Sequence, residues 1–348
     1  MPEDIIDPDL PIIDPHHHLW DRRFMLGMLP TPPSHAFEPI ISKWARYELD
    51  EMLADMCSGH NVQATVFVQC TSMHRIDGPE HLKPVGETEY VNGIAAATAS
   101  GVYGPQRIAA GIVGHVDLTL GADHVGQALD AHIAVSGGRF RGIRHTTSWD
   151  DDPTVLGPLH RAPEGLMLDP AFRDGFALLA PRQLSFDAWL LEPQLPDLID
   201  LARAFPDTRI VLDHVGTPLG IASYDGRRDE RFDVWRNNIR ELSKSDNVFV
   251  KLGGLAMPFC NFPSCWSDTP ASSEQLATEW RPYIETCIEA FGPGRAMFES
   301  NFPVDHASCD YPTLWNAMKR IASGATTDEK ADLFFNTANR FYRLGLVA

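Results

Sequence analysis

Short apolar runs recur along the chain, separated by longer segments of polar or helical character. The first run leads into the histidines of IIDPHHHLWD, at residues 12–21. Counting this one, there are eight; the others lie at residues 64–70, 107–116, 139–145, 184–192, 208–216, 247–255 and 295–300. Apolar runs that alternate with stretches long enough for a crossover helix are typical of parallel strands covered on both faces. Eight such units predict an α/β fold, a (β/α)8 TIM barrel.

Polar residues collect at the ends of these runs, where a TIM barrel holds its active site. Because side chains alternate along a strand, His16 and His18 share one face and His17 points to the other. Two imidazoles on one face can share a metal ion that takes further ligands from elsewhere, or they can clamp a substrate. The polar strand-end residues are His16, His18, Gln69, His115, Arg144, His145, Glu192, His214, Lys251 and Asn301.

Two runs raise a question of which side chain faces the barrel. In RFRGIRH, Arg144 and His145 point to opposite faces, unless Gly142 introduces a bulge that changes the register. Arg144 is a natural clamp for a carboxylate because its planar fork bonds both oxygens, or it bridges to one of residues 150–152. In the sixth run, alternation allows only one of Asp213 and His214 to line the barrel.

The segment after the first run is long and rich in proline, and we expect a large loop over the mouth of the barrel, with a helix at Ala45–Cys57. Its apolar side chains either shape a substrate wall, or pack the loop down, or bury a contact in a homo-oligomer. These side chains are Phe24, Met25, Met28, Leu29 and Phe37. Two further long loops follow the second and seventh runs, so the predicted barrel carries long βα-loop insertions.

Composition narrows the range of partners. With 348 residues, the chain fits one barrel domain with insertions, spanning 1–348. Its 29 basic and 47 acidic residues give a net charge of −18, which argues against nucleic-acid and anionic-membrane partners. No stretch is long and apolar enough to span a bilayer, and the acidic, proline-containing N-terminus is unlike a signal peptide. Six scattered cysteines without a CxxC motif indicate reduced thiols. We therefore expect a cytoplasmic protein that acts on a small molecule.

Five motifs, in order, resemble the amidohydrolase superfamily: the histidine-containing opening, GIRH, VLDHVG, VKLGGL and FESNFPVD. They are most similar to the branch that contains sugar-acid lactonases, such as rhamnonolactonase and fuconolactonase, and pyrone dicarboxylate lactonase. The resemblance extends from Ile12 to Tyr342. It implies a distorted TIM barrel, water-mediated opening of a lactone or related bond, and a divalent cation in some members.

The resemblance selects His214 as the residue of the sixth strand that lines the site, and leaves Asp213 facing the helices. It implies that His16, His18 and His214 either bind a divalent metal such as zinc or manganese, with Glu192 as a fourth ligand, or polarise the scissile carbonyl without one. The residues expected to hold the substrate are Gln69, His115, Arg144, His145 and Lys251.

The eighth strand departs from the family motif that resembles GSDWP, because Asn301 stands where the family has an aspartate. An amide has no titrating group in the useful pH range, so it cannot accept the proton of the attacking water. Either the base lies elsewhere or the reaction differs: Asp305 and Glu192 are the available carboxylates, and His214 or His18 can serve if no metal binds them.

We expect a hydrolase of a small, carboxylated catabolic metabolite, acting on a lactone or a related ester or C–C bond. Two alternatives remain open at this point. One is metal-assisted decarboxylation on the same scaffold, which the loss of the strand-eight aspartate makes credible. The other is a non-catalytic binder that has kept the barrel and lost the base.

Overall fold

A computed structural model describes residues 3–348 and confirms the predicted TIM barrel. Eight parallel strands form one sheet in chain order, and each overlaps one of the predicted runs; the second begins at Val62, two residues before the predicted 64–70. The strands are Ile12–His17, Val62–Val68, Arg107–Gly114, Phe140–Ile143, Ser185–Ala188, Ile210–Leu212, Val248–Leu252 and Ala296–Phe298. We number them one to eight. All eight are built mainly from buried residues, as expected of a sheet that helices cover.

Helices surround the sheet and fill the long connections. The α-helices are Glu38–Lys43, Leu49–Met56, Val85–Ala99, Ala122–Val135, Pro153–Leu156, Pro170–Phe176, Leu195–Ala204, Arg228–Leu242, Ser273–Phe291, Tyr311–Ile321, Thr327–Ala331 and Thr337–Tyr342. The helix predicted at Ala45–Cys57 begins later, because Arg46–Tyr47 pairs with Trp20–Asp21 in a short antiparallel ribbon. Across residues 3–348, no helix combines the length and apolar character needed to cross a membrane.

The barrel closes at a seam between strands one and eight. The two strands meet at one bridge, where the Asn301 amide donates to the His16 carbonyl at 2.9 Å and the His18 amide donates to the Phe302 carbonyl at 2.8 Å. Deeper in the barrel a side chain joins them. The Asp14 carboxylate accepts from the amide of Ser300 at 3.0 Å and from its hydroxyl at 2.6 Å. The seam thus ends at His16, His18 and Asn301, which are among the predicted site residues.

A separate apolar cluster fills the inside of the barrel below the site. Small and β-branched residues from the strands, among them Ala64, Val66 and Val211, pack against the last helix of the chain. Phe341 and Tyr342 of that helix are 2% and 1% exposed. The C-terminal helix therefore plugs the barrel from the end opposite the site.

Candidate active site

The strand ends open into a cavity of about 560 Å³. The loop after strand one covers one side of it, as the sequence predicts, with Met25, Met28, Leu29 and Phe37 in the wall, whereas Phe24 is not part of the lining. Polar residues that line the cavity include His18, Arg22, Gln69, Arg144, His214 and Asn301.

Three of the predicted residues, His16, His18 and His214, come together at the cavity floor. The ring centre of His16 is 5.0 Å from that of His18 and 4.5 Å from that of His214. Each ring places Nδ1 next to a protein acceptor. His18 Nδ1 is 2.8 Å from the Val68 carbonyl oxygen, and His16 and His214 Nδ1 are 2.8 and 2.7 Å from the two carboxylate oxygens of Glu299. Acceptors at Nδ1 leave Nε2 as the ring nitrogen available for chemistry.

His17 lies on the outer face of strand one, as alternation predicts. Its Nε2 is 2.8 Å from the Thr65 hydroxyl, and its ring meets the edge of Phe67. Burial lowers the pKa of His17 to about 3, so the ring is neutral. The residue belongs to the packing between sheet and helices.

Glu299 is the central residue that sequence reasoning missed. It follows strand eight, is fully buried, and also accepts the His214 backbone amide at 3.0 Å. Burial alone would raise the pKa of Glu299, but His214 and His16 beside it bring that pKa down to about 2. The glutamate is therefore ionised, and it fixes the orientation of two imidazoles at once. The signal in the sequence was a carboxylate directly after a buried strand, inside a motif already singled out for Asn301.

The glycine pair of VKLGGL makes room for this arrangement. A Cβ on Gly254 would lie 2.4 Å from atoms of His214, and one on Gly253 would lie 2.5 Å from Glu299 Cγ. Gly254 also has a φ of +69°, a backbone conformation that residues other than glycine rarely adopt. The absence of side chains at these two glycines thus lets the backbone approach His214 and Glu299 closely.

The prediction that Asp213 faces the helices is wrong. Strand six ends at Leu212, and the chain enters a tight turn in which His214 and Val215 have φ values of 56° and 47°. Alternation applies only while the backbone is extended, so Asp213 and His214 both turn toward the barrel axis. Asp213 Oδ1 lies 3.6 Å from His16 Nδ1.

Lys251 does not line the cavity, in contrast to its predicted role in substrate binding. Strand seven carries it into the layer below the floor, where it has no solvent exposure. Its Nζ lies 2.7 Å from Asp187 Oδ2, 3.0 Å from Asp213 Oδ1 and 3.1 Å from His16 Nδ1. Burial alone would lower the pKa of Lys251, but Asp187 and Asp213 raise it above its ordinary value. The lysine is charged and supports the floor from beneath.

Arg144 reaches the cavity because strand four contains a bulge. Strand three pairs Ile112 with Phe140 and then Val113 with Gly142, so the ladder skips Arg141. Arg144 donates from Nη2 to the Gln69 carbonyl, and its Nη1 lies 3.4 Å from both His16 Nε2 and Asp213 Oδ2. The arginine therefore pairs with the site and not with residues 150–152.

Asn301 lines the cavity and Asp305 stands behind it. Asn301 donates from Nδ2 to Asp305 Oδ1 at 2.7 Å, which leaves its amide oxygen as an acceptor. Burial raises the pKa of Asp305 well above its ordinary value. Asp305 is enclosed by protein and does not line the cavity. The position that borders the cavity, where the family motif has its aspartate, is occupied by Asn301.

The remaining predicted residues divide between the cavity and its surroundings. Gln69 lines the cavity. His115 and His145 sit behind Arg144: His115 Nδ1 is 3.1 Å from the Arg144 carbonyl oxygen, and His145 accepts the Leu118 amide at 3.2 Å. Glu192 lies outside the histidine cluster, because a turn begins there, and both of its oxygens accept from Arg231, at 2.6 and 2.7 Å.

Among residues 3–348, one group has the composition and spacing to hold a metal ion. Single ligand atoms of His16, Asp213 and His214 lie within 4.8 Å of one another, and Glu192 is not in this group. Two imidazoles and a carboxylate are suitable ligands for zinc. However, as described above, Arg144 and Lys251 already approach the donor atoms of both His16 and Asp213.

The positions of these two cations decide whether an ion fits. At an effective dielectric constant of about 20, unit charges 4 Å apart interact by about 4 kcal/mol. The ionised Asp213 and Glu299 carboxylates would therefore attract a divalent ion, and the Arg144 guanidinium would repel it by about 8 kcal/mol. Lys251 on the opposite side of the Asp213 carboxylate adds to that cost. In this arrangement the Arg144 guanidinium lies against atoms of the His/Asp/His group, so a divalent ion bound there would have to displace it.

Comparison with known proteins adds independent information on the family. The amidohydrolase family model matches residues 13–344. An uncharacterized protein of Sinorhizobium fredii is 34% identical over 97% of this chain and 99% of its own length. The L-fucono-1,5-lactonase of Burkholderia ambifaria is 29% identical over 95% of each chain.

Solved structures agree with the fold. A zinc-bound amidohydrolase from Burkholderia multivorans superimposes with a TM-score of 0.69 at 24% identity, covering 95% of this chain and 99% of its own. At this identity the likeness concerns the fold. Together with the family match over almost the whole chain, it gives one conclusion: the protein belongs to the amidohydrolase family and is a hydrolase of that family.

Proposed function

We propose that the protein opens a lactone, or a closely related ester, of a small metabolite by adding water at the floor of the cavity. The observation that carries the proposal is the Glu299–His214 pair: His214 lines the cavity together with Arg144, and the buried Glu299 holds its ring from behind. The similarity to an L-fucono-1,5-lactonase supports a lactone as the class of substrate. In this proposal Arg144 takes the electrostatic role that a metal ion has in other members.

His214 acts as the general base. With its Nδ1 hydrogen held by Glu299 at 2.7 Å, its Nε2 carries a lone pair on the ring that lines the cavity. When Nε2 accepts a proton from water, the ionised Glu299 stabilises the imidazolium that forms. The same division of labour between carboxylate and imidazole operates in serine hydrolases.

Asn301 acts on the attacking water, and Arg144 acts on the substrate. The free amide oxygen of Asn301 accepts a hydrogen bond from the attacking water and orients it. Arg144 faces the carbonyl oxygen of the substrate and stabilises the negative charge that develops there. Asp213 and Gln69 hold the guanidinium in place for that role.

The proton that leaves the water is returned to the product within the site. Water adds to the carbonyl carbon while its proton moves to His214 Nε2. The ring C–O bond then breaks, and the imidazolium returns the proton to the departing oxygen. The product is an open-chain hydroxy acid.

Glu299→Gln tests this mechanism, because it keeps the size of the side chain and removes its charge. General-base catalysis contributes about 10²- to 10⁴-fold, and we expect kcat for a δ-lactone to fall by at least tenfold with KM little changed. Hydroxy-acid release is measured by chromatography, with the spontaneous rate subtracted. Glu192→Gln, which alters a buried carboxylate outside the cluster, is the matched control.

Two results would contradict the proposal. If Glu299→Gln had full activity, the Glu299–His214 pair would not supply the base. If aromatic carboxylates released CO2 and no lactone were opened, the decarboxylase alternative would replace it.

A further inference from the structure

We infer that the substrate carries an apolar body, such as an alkyl or aromatic group, in place of the ring hydroxyls of a sugar. The inference rests on the proposed lactonase function and specifies its substrate class. Its basis is the contrast between the floor of the cavity, which is polar, and its walls, which are apolar.

The walls are formed by large apolar side chains from several parts of the chain. Trp20, Phe37 and Ile41 are buried by other protein atoms yet border the cavity, and Trp189 borders it as well. Met28 and Leu29 of the loop after strand one complete the wall. A ligand with an apolar body gains about 25 cal/mol for each Å² of apolar surface that it buries against such walls.

The loop after strand one exposes several apolar side chains to solvent. Its short helix, Arg23–Met28, contains no buried residue, and Met28 is 67% exposed while it borders the cavity. Methionine is flexible and adapts to apolar ligands of different shape. An apolar ligand in the cavity would cover part of this surface.

Two charged side chains that border the cavity already have protein partners. The Glu38 carboxylate accepts from the Ser34 amide and hydroxyl, both at 2.7 Å, and Arg22 donates to the Cys70 carbonyl at 2.6 Å. Arg144, His214 and Asn301 of the floor serve the ester and the attacking water, and the further polar side chains of the lining include Gln69, Thr71, Thr146 and His160. Hydroxyls of a sugar ring that lie against the apolar walls would lose their water partners without replacement, which disfavours a polyhydroxylated ring there.

A series of δ-lactones tests the inference. The probes are δ-valerolactone, its 5-alkyl derivatives with chains of two, four and six carbons, dihydrocoumarin, and L-fucono-1,5-lactone. Burial of one methylene is worth about 0.8 kcal/mol, which converts to a rise of about fourfold in kcat/KM per carbon until the cavity is full. We expect the alkyl and aromatic lactones to exceed the sugar lactone by at least tenfold.

Two matched variants in the loop distinguish an effect of the cavity wall on substrate preference from a general effect of altering the loop. Met28→Ser removes an apolar side chain that borders the cavity, and we expect it to flatten the rise with chain length. Leu26→Ser changes a residue of the same short helix that is 44% exposed and does not border the cavity, and the rise should persist. Equal behaviour of the two variants would contradict the inference.

Binding measurements distinguish failure of the inference from failure of the proposed function. Octanoate, 1-naphthoate and L-fuconate are titrated into the protein by calorimetry. If no lactone is hydrolysed but octanoate and 1-naphthoate bind, and Met28→Ser weakens them, the lactonase proposal fails while the apolar site stands. If L-fucono-1,5-lactone is the best substrate, the lactonase proposal stands and the inference is overturned.

Discussion

Arg144 is the residue on which the chemistry of the site depends most. Its guanidinium lies 3.4 Å from a nitrogen of His16 and an oxygen of Asp213, two of the atoms that a metal ion would need. Catalysis with an arginine in this position requires a permanent positive charge that is held by protein contacts. The identity of this one side chain therefore affects both activity and metal affinity.

Replacing Arg144 by methionine should change both properties in opposite directions. Removal of the guanidinium deletes the oxyanion partner, and we expect kcat/KM to fall by about 10²- to 10³-fold. It also removes the nearest repulsive charge, so zinc added to the purified variant should be retained at a higher stoichiometry than in the wild type. Metal content after dialysis is measured by mass spectrometry.

Arg22→Met is the control for that experiment, because it removes another arginine of the cavity that has no contact with His16 or Asp213 in the described structure. We expect its zinc content to match that of the wild type. If Arg144→Met retained no more zinc than Arg22→Met, repulsion by Arg144 would not be what disfavours the ion.

At the scale of elements, helix Val85–Ala99 holds the loop that follows strand two. Glu87 of this helix is 1% exposed and accepts the backbone amides of Cys70 and Ser72 at 3.0 and 2.8 Å. Cys70 and its neighbour Thr71 border the cavity. One buried carboxylate thus links the position of a helix to the shape of the site.

Glu87 should make stability depend on pH in a defined interval. Burial raises its pKa from 4.5 to about 6, so between these values the folded protein keeps a proton that the unfolded chain has lost. Stability therefore falls as pH rises through this interval, by about 2 kcal/mol in total. The free energy of unfolding, measured in urea at several pH values, should lose this amount relative to Glu87→Gln, which does not titrate. Parallel curves for the two proteins would contradict the assignment.

The elements themselves could be predicted from the sequence, whereas several site residues could not. Buried parallel strands are apolar along their length, so all eight runs were visible. Alternation failed at Asp213, because the backbone turns immediately after Leu212, and it left the orientation of Arg144 open, because that depends on the bulge found at Arg141. A turn and a bulge of this kind depend on neighbouring strands, and local sequence does not specify them.

Two further residues left a signal that pattern reasoning can use. Asp187 and Lys251 are charged residues inside apolar runs, and a charge in a buried strand requires a partner. They are partners of each other, at 2.7 Å. Glu299 also lies in the motif FESNFPVD, but the departure from the family motif is at Asn301, two positions later, so the motif alone pointed to Asn301.

For the whole molecule, the seam between strands one and eight closes the barrel and also adjoins the candidate site. The Asp14 carboxylate there is buried and depends on Ser300 for two hydrogen bonds. Ser300→Ala removes the one from the hydroxyl, and we expect a loss of about 1–3 kcal/mol together with faster hydrogen exchange at the amides of His18 and Asn301.

Ser185→Ala is the matched control, since the Ser185 hydroxyl donates to the Arg141 carbonyl at 3.3 Å between strands five and four, away from the seam. It should leave exchange at His18 and Asn301 unchanged. Equal acceleration in both variants would indicate a general loss of stability, and the seam would not be a weak point.

The helix that plugs the barrel also sets an order of events during synthesis. The hydroxyl of Tyr342 donates to Asp187 at 2.6 Å, Asp187 pairs with Lys251, and Lys251 supports Asp213 and His16. His16 and His18 precede all the other site residues in the chain, yet the supporting charges gain their last partner only when residue 342 has left the ribosome. A nascent chain that already contains all eight strands still lacks the plug, and its catalytic floor is incomplete until Tyr342 has been made.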